Sequence, residues 1–93
     1  MGKGYQVITE DGALHSAGKA VTVYGLNITS DATAGVVTLR NGSVVGATAA
    51  LVITGTASTS TYHDLGEGLT FPSGCFVDVD ANALSVTVVY DVV

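Results

Sequence analysis

Residues 84–91 read LSVTVVYD, and the alternation in that stretch decides the fold class. In an extended chain successive side chains point to opposite faces. Leu84, Val86, Val88 and Tyr90 then share one face, and Ser85, Thr87 and Asp91 share the other. A helix, with its 3.6-residue repeat, would scatter those apolar positions around its circumference. The stretch therefore reads as a strand with one buried face and one face that is wet or covered by a partner.

The same signature recurs upstream. Valine and threonine together make up 27 of the 93 residues, and both are β-branched and suited to a half-buried pleated surface. No window carries a helical period, and glycines and small polar residues interrupt the chain at short intervals. Strands are expected over Tyr5–Thr9, Ala20–Thr29, a segment around Val37 and Leu39, Ala50–Thr54, Thr59–Leu65, Leu69–Phe71, Cys75–Val79 and Leu84–Tyr90. In the second, Val21 and Val23 share a face, as do Leu26 and Ile28, but the phase slips at Gly25. A bulge or sharp bend there restores both pairs to the core. Asn41-Gly42 reads as a tight hairpin turn with a return strand from about Val44. Ser30–Gly35 and Gly66-Glu67-Gly68 read as loops, and Pro72 ends a strand suited to a sheet edge. The expected fold is all-β: one domain over residues 1–93, a small sandwich of about eight short strands in two packed sheets, with jelly-roll connections as one way of joining them.

Composition excludes several function classes. The net charge is −5, and Lys3, Lys19 and Arg40 are the only cations beside the two histidines. Nucleic-acid binding needs a patch of Lys and Arg to neutralise phosphates, and an anionic membrane surface makes a similar demand; neither is expected as a partner. Charged residues are 12% of the chain, about half the usual share in soluble domains. With a single cysteine, Cys75, no intrachain disulfide reinforces a core this small, so oligomerisation is the expected support. No apolar signal core or membrane-spanning run is expected from this sequence.

Residues that could carry chemistry read more simply as structure. Asp78, Asp80 and Asn82 alternate like the start of a calcium loop, but Ala83 and Val89 stand where that loop needs glycine and glutamate. A turn between strands is the better reading, and no metal or cofactor is expected. His63 and Asp64 are adjacent in a strand, so they face opposite ways and do not form an oriented pair. His63 is read as exposed or interfacial, and His15 as part of a polar loop. Cys75 has no cation near it in sequence to lower its pKa and reads as a small buried hydrophobe. No catalytic residue is assigned, and no enzymatic activity is expected. Tyr5, Tyr24 and Tyr62 are the aromatics that a sugar-binding face would use.

The segments AGVVTLRNG, LTFPSG, VD and VTVVY, at Ala34–Gly42, Leu69–Gly74, Val77–Asp78 and Val86–Tyr90, resemble a pattern in small capsid decoration, or cement, proteins of short-tailed bacteriophages, including cyanophages. That resemblance implies a non-enzymatic virion protein on the capsid surface. It implies binding between major capsid protein subunits and assembly as a homotrimer. A tail, fibre or adaptor component of a virion and a small carbohydrate-binding β-sandwich remain the alternatives. The residues assigned to partner contact are Ser30, Asp31, Ala32, Thr33, Ala57, Ser58, Thr59 and Ser60, because their loops are small, polar and adaptable.

Overall fold

A computed structural model describes residues 4–14, 19–44 and 46–92. His15, read above as part of a polar loop, lies outside the described residues. Eight strands make up the described chain: β1 (Gly4–Ile8), β2 (Gly12–Ala13), β3 (Val21–Ser30), β4 (Val36–Asn41), β5 (Thr48–Thr54), β6 (Ser60–Phe71), β7 (Cys75–Val79) and β8 (Ala83–Val92). They form two four-stranded sheets, ordered β1-β8-β3-β6 and β2-β7-β4-β5.

The connectivity is that of a long hairpin folded over and rolled up. First pairs with last, second with seventh, third with sixth and fourth with fifth, all antiparallel. Rolling then brings β8 against β3 and β7 against β4. Two packed sheets joined in this way are a jelly roll.

The core is built in rows across the first sheet. Ile8, Val86 and Ile28 are cross-strand neighbours, as are Val88 and Leu26, and Val21 lies beside Phe71; all are buried. From the second sheet Val37, Leu39 and Val77 close the interior. The period-two reading of β8 holds at Val86 and Val88, and Tyr90 packs against the core from its margin. The phase slip at Gly25 is present: pairing to both neighbours shifts between Val23 and Gly25, and Val21, Val23, Leu26 and Ile28 all turn inward.

Three expectations need correction. Leu84 is 55% exposed, and Ala83 takes the inward position in its place. Ser30 pairs with Ala83 and Thr29 with Ser85, so Leu84 is the extra residue of a bulge. The cause is space: a Cβ on Gly35 would stand 2.7 Å from the Ala83 Cα, so the chain of β3–β4 presses on that position and leaves room for a methyl group alone.

Asn41-Gly42 does not close a two-residue hairpin; β5 starts at Thr48, and Val44 is exposed. A tight turn would set Gly46 opposite Val37. The longer loop instead pairs Val37 with Ile53 and Leu39 with Leu51, apolar against apolar. The Gly42 N–H is drawn to the Gly74 carbonyl at 3.0 Å, and Arg40 Nη1 donates to the Ala47 carbonyl at 3.1 Å. Burial and these bonds override the turn preference.

Gly66-Glu67-Gly68 is not a turn between two strands. Thr59–Leu65 and Leu69–Phe71 belong to one strand, β6, in which Asp64 pairs with Gly25 and Leu69 with Val23. Residues 65–68 bulge opposite Tyr24, and the bend needs φ of 65° at Gly66 and 101° at Gly68, a region glycine enters without strain. His63, read from sequence as exposed or interfacial, is neither fully exposed nor fully buried. It pairs with buried Leu26 and so lies on the inner face, half-buried.

Candidate functional site

The rolled hairpin sends every odd-to-even connection to one end of the sandwich. The β1–β2 loop (residues 9–11), the β3–β4 loop (31–35), the β5–β6 loop (55–59) and the β7–β8 turn (80–82) form a common rim there. Both loops assigned to partner contact from sequence are on it, and they touch each other. The Ser58 N–H donates to the Asp31 carbonyl at 2.6 Å, the Ser30 N–H to the Thr59 carbonyl at 3.0 Å, and the Gly55 N–H to the Gly35 carbonyl at 2.8 Å.

The residues assigned to contact divide in role. Ser30 is buried, and its Oγ accepts the Gly35 N–H at 3.0 Å; it shapes the β3–β4 loop. Asp31 is half-buried, and its Oδ1 accepts the Thr33 N–H at 2.8 Å, an Asx turn. Ala32, Thr33, Ala57, Ser58, Thr59 and Ser60 are exposed. Ser58 has φ of 60°, an unusual conformation for a non-glycine residue, held by its bond to Asp31. Ser60 and Thr29 share a hydroxyl hydrogen bond of 2.7 Å.

Two further connections complete the rim, and sequence reading assigned neither. Asp80 N–H donates to the Val36 carbonyl at 3.1 Å, and its Oδ1 accepts the N–H groups of Asn82 and Ala83, each at 3.0 Å. DVDAN is thus a turn whose first carboxylate, Asp78, faces elsewhere, onto Arg40. Asp11 Oδ1 accepts the Val79 N–H at 2.8 Å and ties the β1–β2 loop to the end of β7. These side chains spend their acceptors on backbone donors within the rim. Among the described residues no group of three or more His, Cys, Asp or Glu gathers where a metal ion could sit.

Away from the rim the second sheet is tied by different contacts. Arg40 Nε and Nη2 donate to Asp78 Oδ2 at 3.2 and 2.8 Å, on the outer face of the second sheet. Ser43 Oγ donates to the Ser73 carbonyl at 3.0 Å. Cys75 lies beneath, buried; burial pushes its thiol up to about 12, opposed in part by a hydrogen bond from the Arg40 backbone. A thiol held protonated is neither nucleophile nor metal ligand at neutral pH.

The outer face of the first sheet gathers the three tyrosines named above. Tyr62 lies over Gly25, where a Cβ would strike the Tyr62 ring and hydroxyl, and Tyr24 packs beside Gly68. Tyr5 is 73% exposed on edge strand β1. The signal for this grouping was the Gly25 bulge, which places Tyr24 and Gly25 together on the outer side. Comparisons with protein-family models, with curated proteins and with solved structures give no match for this chain.

Proposed function

We infer that this chain is a non-enzymatic structural protein of a virion. It decorates the capsid as a homo-oligomer, its rim seated between major capsid protein subunits. The observation that carries this reading is the rim itself: three connections knitted by backbone hydrogen bonds and a fourth tied in through the Asp11 carboxylate, presenting small uncharged side chains at Ala32, Thr33 and Ala57–Ser60. Such a surface suits repeated docking. Its loops are already ordered, so binding loses little conformational entropy. Small side chains on the β3–β4 and β5–β6 loops let backbone approach backbone, and the Oδ1 atoms of the rim's Asp11, Asp31 and Asp80 already accept backbone N–H groups. Each contact is modest, but copies bound across a lattice add stability to the shell by mass action and multivalency. The sequence resemblance to decoration proteins points the same way. Heat release of genome from capsids with and without bound chain tests the reading. Bound chain should raise the release temperature, and Ala32→Glu or Ala57→Glu should abolish the gain by placing a bulky charge among the small side chains of the β3–β4 and β5–β6 loops. Equal release temperatures with and without saturating chain would contradict it.

A carbohydrate-binding module is the second reading, favoured by the three tyrosines on one outer face. Exposed aromatic rings give sugars an apolar platform. Quenching of tyrosine fluorescence by a soluble glycan, lost in Tyr62→Ala, would move the assignment to that face.

A further inference from the structure

The two flanks of the sandwich are closed differently. Short loops place β1 beside β2 on one flank and β5 beside β6 on the other. On the first flank the interior ends at Ile8 and Leu14, both buried. On the second it does not end. Leu51 and Ile53 of β5, with Thr61, His63 and Leu65 of β6, face or pack against the core yet stay half-exposed. No residue of β5 is buried, and Phe71 alone is buried in β6. Among the described residues, His63 Nε2 is the buried side-chain nitrogen or oxygen that finds no hydrogen-bond partner. Both strands are also sheet edges, so every second backbone N–H and C=O along the flank has no strand to pair with.

Edges are normally blunted by charge, proline or a bulge. Strand β5, TAALVIT, has no charge and no proline. Its pairing to β4 skips Ala50, a bulge, and then runs regularly from Leu51 to Thr54. Val52, on its outer side, is 57% exposed. The charge map separates β5 and the first residues of β6 from the rest of the chain. Residues 41–63 contain no Asp, Glu, Lys or Arg, although the whole chain carries −5.

We propose that the β5 edge of this flank is where a second copy of the chain docks, a neighbour's strand continuing the second sheet and covering Leu51, Ile53 and the open mouth beside His63. Charge selects the occupant. Two acidic chains repel through most of their surface, and meeting along a neutral strand brings no like charges together. A basic partner would be drawn instead to the acidic residues outside this segment. Backbone pairing supplies the affinity, as in other strand additions to an open sheet edge. This inference deepens the homo-oligomer part of the proposed function and is independent of the capsid part.

Sedimentation equilibrium of the chain alone, up to about 1 mM, tests it without any capsid. The wild type and Val7→Glu, a control equally exposed on β1, are expected to associate. Val52→Glu is expected to weaken association at least about tenfold while melting like the wild type, since Val52 is exposed. Hydrogen exchange provides a measure that needs no variant: amides of Leu51–Thr54 should gain protection as the wild-type concentration rises, and amides of β1 should not. A wild type that stays monomeric overturns the proposal. So does association that Val52→Glu leaves intact, or concentration-dependent protection confined to β1. Loss of capsid binding in Val52→Glu with association unchanged would assign the flank to the capsid and overturn it as well.

Discussion

Val86 and Val88 sit at the centre of the core, and their neighbour Leu84 does not. Truncating either valine to alanine removes two buried methyl-sized groups and should destabilise by roughly 1–3 kcal/mol, near the low end for large-to-small core changes. Leu84→Ala should change stability by less than about 0.5 kcal/mol, as expected of an exposed site. Urea unfolding of the three variants measures this, and a Leu84 effect as large as the valines' would place the bulge elsewhere. The Val86 and Val88 positions were legible because a period of two needs local sequence alone. Leu84 was not, because its displacement depends on how closely Gly35, from the β3–β4 loop, approaches Ala83. Cys75 makes a second test at this scale. Its thiol is raised to about 12 by burial, while an unfolded chain loses the same proton near the ordinary thiol value of 9.0. Above that lower value the unfolded state binds fewer protons than the native state, so stability is full below pH 9 and falls as pH rises toward 12. At pH 8 alkylation of Cys75 by iodoacetamide should track unfolding in urea. Rapid alkylation of the folded chain would contradict its burial.

At the scale of elements, the bulges fix the register. In β3 the slip at Gly25 could be read from sequence, since two in-phase apolar pairs stood on either side of it. Its counterpart in β6 could not. Gly66-Glu67-Gly68 has the composition of a turn, and only the pairing of Asp64 with Gly25 and Leu69 with Val23 shows that the chain continues as one strand. The two glycines of that bulge are not equivalent. Gly66 has open space around a would-be Cβ, whereas at Gly68 a Cβ would stand 2.6 Å from Thr22 Cγ2. Gly66→Ala should therefore cost about 1 kcal/mol for its backbone conformation alone. Gly68→Ala should cost about 1–3 kcal/mol more through overpacking. Equal midpoints in urea for the two variants would show that the bulge relaxes freely. The Asn41-Gly42 turn failed for a related reason: turn chemistry is local, but pairing Leu39 with Leu51 rewards the longer loop.

At the scale of the whole molecule, rolling a hairpin explains both the rim and the open flank. Ser30–Thr33 and Ala57–Ser60 read from sequence as small and polar, and their loops meet because jelly-roll connectivity turns both at one end. The flank along β5 and β6 was not legible, since openness is a property of two sheets together. A small core, low charge and an uncovered edge all favour a chain that works in company. Co-sedimentation with capsids of the phage proposed to carry it, prepared without the chain, tests that account most directly. The account predicts that the chain alone sediments as an oligomer and binds the capsids to saturation in a fixed ratio to the major capsid protein. A chain that stays monomeric and remains in the supernatant at every concentration would contradict it.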